Sequence, residues 1–204
     1  MSFRKELKYS FTINEIKLFK SKILKKDFKE LFPMRTVNSC YFDTHNLDLF
    51  RLSLDGIYPR KKVRLRWYNN NKKICFKEQK ISSIEGRFKL SKIYEGFKFQ
   101  DINKYKFFDQ NYGILKPKIL IKYTREYFIY KDLRFTFDSN IKYIDVSGLT
   151  LETTNDFKSV LEVKTTINKT NYYINKFLSR IDSGFSKYSR GIILKKRIKL
   201  DLTR

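Results

Sequence analysis

Two arginines separated by one residue lie in the segment KKVRLRWY, which spans Lys61 to Tyr68. Side chains alternate between the two faces of a β-strand, so Arg64 and Arg66 share one face. The apolar residues at positions 63, 65 and 67 share the other face. A guanidinium group donates hydrogen bonds in a fork that can grip two phosphate or carboxylate oxygens. The segment therefore predicts a strand with one apolar face and one face suited to binding anions.

Three other predicted strands place a carboxylate and an ammonium group on the same face, in the pattern Glu-x-Lys. The pairs are Glu6 with Lys8, Glu78 with Lys80, and Glu162 with Lys164. The segment LRFTFD adds Arg134, Thr136 and Asp138 on one face of a further strand. Ionic groups thus recur on one side of at least five segments.

Such ionic faces have two interpretations. The first is an open antiparallel sheet with a solvated outer face, where each cross-strand ion pair contributes roughly a few tenths of a kcal/mol. The second is a closed barrel with the polar face inside and the large aromatic residues packed outward against helices. Unpaired buried charge is costly, so a basic lumen must hold an anion, and its carboxylates could hold a divalent cation on that anion.

The overall charge points to a polyanionic partner. Lys and Arg number 45 against 21 Asp and Glu, which gives a net charge of +24. Nucleic acid, a phosphate-rich small molecule, inorganic polyphosphate and an anionic membrane all fit this charge. Enrichment in Lys, Ile, Asn, Tyr and Phe together also indicates a general compositional bias, in which many lysines only cover the surface. A hydrophobic fraction of 41% and the lack of a Gly- or Pro-rich linker predict a single domain over residues 1–204.

Alternating segments rich in β-branched and aromatic residues predict eight strands, with hairpin turns at 69–71 and 131–132. The predicted strands are Phe3–Phe11, Arg35–Asp43, Lys61–Tyr68, Lys73–Lys80, Gly86–Lys92, Lys118–Tyr130, Leu133–Asp138 and Ser159–Thr166. Thr12 and Glu15 form a capping-box pattern that begins a helix. Shorter helices are predicted over Leu47–Leu54 and about Asn171–Ile181. Many strands and few helices indicate an α+β, mainly antiparallel fold.

Other residue types exclude several classes of site. Cys40 and Cys75 have no neighbouring Cys or His, which argues against a zinc site and favours a reducing compartment. His45 is expected in a loop. The polar beginning of the chain is unlike a signal peptide, and no apolar run approaches the roughly 20 residues that span a bilayer. We therefore predict a cytoplasmic location without a membrane span.

Eight motifs in a fixed order resemble the VTC domain, which is named for the vacuolar transporter chaperone complex. They are RKELKY, YFDT, KVRLRWY, FKEQK, KYTREYF, LRFTFD, VLEVKT and FSKYSRG. The resemblance runs from about Phe3 to Gly191. This family is the polyphosphate polymerase branch of the triphosphate tunnel metalloenzymes, which are relatives of the CYTH proteins.

The resemblance implies a closed antiparallel barrel of about eight strands around a basic tunnel, with helices outside and a C-terminal helix near the tunnel mouth. It implies transfer of the γ-phosphate of ATP to a growing polyphosphate chain, with Mn²⁺ or Mg²⁺ as cofactor. By motif position, the phosphate-binding and catalytic residues are Lys8, Arg64, Arg66, Lys80, Arg125, Arg134 and Lys187. Lys164 is a further substrate contact, Glu162 is the metal-binding carboxylate, and Glu6 is a candidate second metal contact.

The first strand departs from the pattern of the CYTH triphosphatases, which carry Glu-x-Glu-x-Lys. The same register here reads Arg4-Lys5-Glu6-Leu7-Lys8, so a cation replaces the first carboxylate. This weakens a two-carboxylate metal site and favours polymerisation over hydrolysis. Glu6 is at least as consistent with a salt bridge to arginines of the lumen.

Three functions remain open from the sequence. The first is a metal-dependent polyphosphate polymerase, the second a triphosphatase with water as acceptor, and the third a non-catalytic binder of polyphosphate or nucleic acid. No nucleic-acid-binding signature is present, so a specific nucleic-acid partner is not expected. Eukaryotic members join this domain to membrane-spanning regions that are missing here, so a membrane-protein partner is a possibility for product translocation.

Overall fold

The computed structural model describes residues 4–148, 151–166, 178 and 184–201. These residues form the predicted α+β fold with few helices, and it contains ten strands rather than the predicted eight. The strands are β1 (Arg4–Thr12), β2 (Lys29–Asp43), β3 (Arg60–Tyr68), β4 (Asn71–Ser82), β5 (Arg87–Ile93), β6 (Phe107–Asp109), β7 (Gly113–Tyr130), β8 (Leu133–Asp145), β9 (Thr153–Asn155) and β10 (Lys158–Thr166). The helices are α1 (Ile13–Ile23), α2 (Asp48–Leu54) and α3 (Lys187–Asp201), with a 3-10 helix at Phe99–Lys104.

The strands form one mostly antiparallel sheet in the order β1-β10-β8-β7-β2-β3-β4-β5. The short strands β6 and β9 pair with β7 and β8 outside this path. Eight strands in the continuous path agree with the predicted number. Within the part of the chain that the structure describes, no hydrogen bonds join the ends β1 and β5, so closure into a barrel stays a prediction.

The chain divides into two compact units. The first comprises Met1–Arg35, Tyr123–Ile141 and Asn155–Phe185, and the second comprises Thr36–Lys122, Lys142–Thr154 and Ser186–Arg204. The long strands β2, β7 and β8 contribute residues to both units. The single-domain organisation over 1–204 stays a prediction.

The core of the first unit forms between α1 and the strands of its part of the sheet. Thr12 and Glu15 make the predicted capping box, in which each side chain accepts from the other residue's backbone N–H. This reciprocal pair satisfies two donors that a helix start leaves without partners. Ile16 and Ile23 of α1 are buried in the same cluster as Phe135 of β8. The helical spacing of the apolar residues thus sets which face of α1 contacts the sheet.

The core of the second unit contains the apolar face of β3. Val63, Leu65 and Trp67 are each 3% exposed or less and pack in one cluster with Cys40 and Cys75. Both cysteines are free and buried. The predicted alternation is therefore confirmed for the apolar side of this strand, and the arginine side lies on the opposite face.

Both predicted hairpin turns are confirmed. Asn69 follows β3 with φ 52° and Lys131 follows β7 with φ 51°. A positive φ suits the backbone twist of two-residue hairpin connections, and Asn tolerates it well. The turns bring β3 beside β4 and join β7 to β8.

Some elements differ from the sequence prediction. β2 begins at Lys29 and β7 at Gly113, earlier than predicted, and the 3-10 helix and the three-residue strands β6 and β9 were not predicted. Elements this short have too few residues to show a periodic pattern. The helix predicted over about 171–181 lies outside the described residues, apart from Leu178. Among the residues described, no helix is long and apolar enough to cross a membrane.

Candidate anion-binding site

The arginine pair of β3 lies on a buried face. Arg66 is 8% exposed, and Glu78 of β4, on the same face, is 4% exposed. The antiparallel register sets Arg64 directly opposite Glu78. Solvated surface charges are rarely this deeply buried. For these residues, the interpretation as a solvated outer face is wrong.

Glu78 is the central carboxylate of this face. Its Oε2 accepts from Arg64 Nε at 2.7 Å and lies 2.6 Å from Arg64 Nη2, while Arg66 Nε is 3.7 Å away. Its Oε1 lies 2.6 Å from Lys89 Nζ of β5. Burial raises the pKa of Glu78, but Arg64, Arg66 and Lys89 outweigh it and lower the pKa to about 2. The carboxylate therefore stays ionised and fixes the orientation of Arg64.

Two residues of β2 accept hydrogen bonds from the arginines. Arg64 Nη1 donates to the Tyr41 hydroxyl at 2.7 Å, and Arg66 Nε donates to Ser39 Oγ at 3.1 Å. Tyr41 and Ser39 lie directly opposite these arginines in the β2–β3 register. We call the set of Ser39, Tyr41, Arg64, Arg66, Glu78 and Lys89 the β3 cluster.

The start of α3 contacts the same polar face of the second unit. Lys62 Nζ donates to Ser186 Oγ at 2.9 Å, and Ser186 Oγ also accepts from the backbone N–H of Ser189 at 3.2 Å. Lys187, a predicted phosphate-binding residue, is the first residue of α3 and is half-buried. Helix N-termini carry partial positive charge, which adds to the cationic character of this face.

Lys80 is the remaining predicted site residue of the second unit. It is half-buried on β4, directly opposite Lys62 on β3 and Lys89 on β5. Lys89 is already paired with Glu78, and Lys62 and Lys80 add further positive charge next to this pair. This arrangement favours anion binding beside the β3 cluster.

A second ionic cluster lies in the first unit around Arg125 of β7. Its guanidinium group makes two hydrogen bonds to Asp138 of β8, from Nε to Oδ1 at 2.5 Å and from Nη2 to Oδ2 at 2.6 Å. Asp138 is fully buried, and Glu162 of β10 is 3.6 Å from Arg125 Nη2. Burial lowers the pKa of Arg125, but the neighbouring carboxylates raise it well above its usual value. The bidentate pair therefore holds a charged guanidinium in a fixed orientation.

Glu162 and its neighbours link the other predicted residues of this unit. Lys164 Nζ lies 3.2 Å from Glu162 Oε1 and 3.4 Å from Glu6 Oε1. Lys8 of β1 is directly opposite Glu162, and Arg134 of β8 is directly opposite Lys164. Arg134 is exposed and Lys8 is half-buried. We call the set of Glu6, Lys8, Arg125, Arg134, Asp138, Glu162 and Lys164 the Arg125 cluster.

The family resemblance implies a divalent metal, and the residues around Glu162 can be tested against it. Thr136 lies directly opposite Glu162, and its buried Oγ1 has no hydrogen-bond partner among the described residues. A carboxylate and a hydroxyl are oxygen ligands of the kind that Mg²⁺ and Mn²⁺ prefer. No group of three His, Cys, Asp or Glu comes together in the described part of the chain. The residues therefore fit a metal held by Glu162 that takes most of its ligands from phosphate oxygens or water.

The structure brings the predicted site residues together in two sets, one in each unit. The first unit contains Glu6, Lys8, Arg125, Arg134, Glu162 and Lys164, and the second contains Arg64, Arg66, Lys80 and Lys187. The roles of these residues stay predictions.

Sequence reasoning missed the hydroxyl of Tyr41. The motif YFDT was recognised and lies in the predicted strand Arg35–Asp43, but no role was predicted for Tyr41. Nothing in the sequence showed that Tyr41 lies opposite Arg64, because alternation does not specify which strands are neighbours.

Comparisons with solved structures identify proteins of similar fold. The structure of HpAC1 from Hippeastrum, described as an adenylyl cyclase candidate with a dominant triphosphatase activity, is 16% identical and matches with a TM-score of 0.56, covering 90% of this chain and 92% of that chain. A candidate adenylate cyclase from Bacillus halodurans is 13% identical and matches with a TM-score of 0.58, covering 92% and 97%. These similarities show a shared fold. A search of curated proteins finds no match.

The family model of the VTC domain matches residues 3–195. This range includes every residue of the two clusters and all eight motifs. The chain therefore belongs to the VTC domain family.

Proposed function

We propose that this protein is a metal-dependent polyphosphate polymerase, which transfers the γ-phosphoryl group of ATP to the end of a growing inorganic polyphosphate chain. The observation that carries the proposal is the burial of paired ionic groups on the strand faces. Arg66, Glu78, Asp138 and Glu162 are each 8% exposed or less. Membership of the VTC domain family supports this activity. The proposal includes closure of the sheet into the basic tunnel that the resemblance implies.

The chemistry of phosphoryl transfer suits these residues. The transition state spreads negative charge over phosphate oxygens, so catalysis depends on positioning and electrostatic stabilisation rather than on covalent participation. Arg64 and Arg125 are already oriented by carboxylates at 2.5–2.7 Å. Donors that need no reorganisation stabilise developing charge most effectively. We assign both arginines to binding phosphoryl oxygens.

The lysines supply less directional charge than the arginines. Lysine ammonium groups act as compact point charges, which suits a chain that must move past them. We assign this role to Lys8, Lys80, Lys164 and Lys187, and we assign Arg66 and Arg134 to further forked contacts with phosphoryl oxygens. Their spread over several strands and the start of α3 supports repeated contacts along a chain.

Glu162 would hold Mn²⁺ or Mg²⁺ beside Thr136, with Glu6 as a further carboxylate near Lys164. A metal held there would supply Lewis-acid stabilisation of the negative charge that develops in the transfer. The acceptor, a terminal phosphate oxygen, is already ionised, so no general base is needed. This agrees with the position of the single histidine, His45, which is exposed in a turn.

A second candidate function is triphosphate hydrolysis. A triphosphatase activity is described for the fold neighbour from Hippeastrum, and the same ionic residues could bind a triphosphate with water as acceptor. Glu6 is consistent with this chemistry, whereas Arg4 replaces the first carboxylate of the triphosphatase pattern. The polymerase therefore remains the better-supported proposal.

The experiment is to incubate the pure protein with γ-labelled ATP and Mn²⁺ and to separate polymer from free phosphate. We expect label in a polymer that an exopolyphosphatase degrades, with one ADP released per phosphoryl group incorporated. Arg64→Ala should reduce the rate about 10²–10³-fold, as expected for the loss of one electrostatic contact to the transition state. Lys17→Ala, which removes an exposed charge on α1, is the matched control and should leave the rate unchanged. Label only in free phosphate would favour the triphosphatase.

The partners and the cellular location of this protein stay predictions. ATP and polyphosphate are the proposed partners, with a membrane protein as a further candidate partner. A cytoplasmic location is consistent with the use of ATP as substrate.

A further inference from the structure

A phenol lies among the cations of the β3 cluster. Tyr41 is 8% exposed, and its hydroxyl oxygen accepts a hydrogen bond from Arg64 Nη1 at 2.7 Å. The guanidinium carbon of Arg64 also lies 5.6 Å from the centre of the Tyr41 ring. Tyr41 therefore occupies a hydrogen-bonding position on Arg64 that a phosphate oxygen could take.

The ring of Tyr41 is fixed by α3 and α2. Tyr188 of α3 stacks on it with ring centroids 5.0 Å apart and an interplanar angle of 16°. The Tyr188 hydroxyl donates to Asp43 Oδ2, and the same carboxylate accepts from the backbone N–H groups of Leu49 and Phe50 at the start of α2. Because these contacts hold the ring, the Tyr41 oxygen stays directed at Arg64.

The charges around Tyr41 come from several elements. From β3, Lys62, Arg64 and Arg66 act on it; from β4, Glu78 lies behind Arg64. From α3, the phenol of Tyr188 faces it, and burial together with Asp43 raises the pKa of Tyr188 well above its usual value, so that phenol stays neutral. Burial raises the pKa of Tyr41, but the three cations outweigh it and lower the pKa to about 7.

We propose that Tyr41 is a further phosphate-binding residue and that anion binding at Arg64 is coupled to protonation of its phenol. This inference rests on the proposed function, in which Arg64 binds phosphoryl oxygens. A phenolate and a phosphate oxygen, both negative, compete for the same guanidinium donor. A protonated phenol has no such conflict, since it can donate its own hydrogen to the arriving phosphate oxygen.

The proton balance follows from this competition. When a phosphate group binds to protein whose Tyr41 is ionised, Arg64 Nη1 transfers its hydrogen bond from the phenolate to the phosphate oxygen. The phenolate takes one proton from solvent and forms an O–H bond. At pH values above the pKa of Tyr41, the dissociation constant should therefore rise by up to about tenfold per pH unit from this group alone.

The test is calorimetric titration of inorganic tripolyphosphate into the wild type and Tyr41→Phe from about pH 6 to about pH 9, in buffers of different ionisation enthalpy. The substrate also titrates in this range, but its contribution is the same for both proteins and cancels in their difference. We expect the wild type to take up as much as one proton more per bound anion, with the difference growing as pH rises. Tyr58→Phe removes an exposed phenol of the second unit and should behave as the wild type.

A second measurement does not depend on ligand binding. Near-ultraviolet absorbance reports phenolate. The absorbance difference between wild type and Tyr41→Phe should therefore appear near neutral pH as the pH rises, and it should be lost when tripolyphosphate is added. Equal proton uptake by the wild type and Tyr41→Phe would overturn the inference. Tripolyphosphate binding that Arg64→Ala leaves unchanged would instead overturn the assignment of Arg64 in the proposed function, which is a distinguishable result.

Discussion

Replacement of Glu78 by Gln tests whether the ionic face of the second unit is as tightly paired as its geometry indicates. The substitution keeps the shape of the side chain but removes the negative charge that Arg64, Arg66 and Lys89 surround. In the folded protein the pKa of Glu78 falls from 4.5 to about 2. One pKa unit corresponds to about 1.4 kcal/mol, so the ionised carboxylate contributes about 3 kcal/mol to stability at neutral pH.

The pH dependence of this contribution has a definite sign. The folded-state pKa is depressed, so the stabilisation is fully present above about pH 4.5 and is lost as pH falls through about 2. At about pH 3 less than half of it remains. Glu78→Gln cannot titrate at this position, so its deficit relative to the wild type should shrink across the same window.

The assay is urea unfolding of both proteins at a series of pH values, with the free energy of unfolding extrapolated to water. Glu85→Gln, on the exposed loop between β4 and β5, is the matched control and should have the stability of the wild type at neutral pH. A deficit that stays constant between about pH 7 and about pH 3 would refute the reasoning, because it would mean that Glu78 is not held ionised by its neighbours.

Three further substitutions test a buried ion pair, a close helix contact and a helix cap by urea or thermal unfolding. Asp138→Asn leaves the buried Arg125 without its bidentate partner and should cost about 3–5 kcal/mol; a loss under about 1 kcal/mol would contradict a buried pair. Gly191→Ala puts a Cβ 2.6 Å from Tyr143 Cδ1, so we expect a loss of about 1–3 kcal/mol despite the better helix propensity of Ala, and a gain in Tm would argue against this close approach. Thr12→Ala removes the capping box of α1 and should cost about 1 kcal/mol; unchanged stability would show that the cap contributes nothing.

Local chemistry made much of the fold predictable. The capping pattern at Thr12 and Glu15 needs only a spacing of three residues, and the alternation in β3 follows from the geometry of an extended chain. The Arg125–Asp138 pair can even be predicted by counting residues from the two-residue turn at 131–132. Arg125 precedes this turn by as many residues as Asp138 follows it, so hairpin pairing sets them opposite each other.

The pairing of Arg64 with Glu78 could not be predicted by counting residues from the turn. The β3–β4 register shifts between Arg66 and Tyr68, where a bulge or irregularity changes which residues lie opposite. Counting from the turn at Asn69 would set Arg64 opposite Cys75 instead. The shift amounts to three residues, from Cys75 to Glu78, and hydrophobic alternation alone does not locate it, so only the folded chain reveals the partner.

The position of Tyr41 was beyond sequence reasoning for a different reason. Its neighbours Arg64 and Tyr188 are 23 and 147 residues away in the chain, so their meeting depends on strand order and on how α3 packs. The sequence identified which residue types could bind phosphate. Long-range packing decided which of them became oriented.

The most direct test of the central claim is binding of tripolyphosphate to variants that lose the same number of charges in different places. Arg64→Ala/Arg66→Ala removes two cations of the buried face, and Lys17→Ala/Lys22→Ala removes two exposed cations of α1. If the buried face binds the phosphate chain, the arginine variant should bind roughly a hundredfold more weakly at constant salt, since a charged hydrogen bond contributes about 1.5–3 kcal/mol, while the lysine variant binds as the wild type. Equal weakening in both variants would mean that the protein attracts polyanions through its general surface charge, and it would contradict the account.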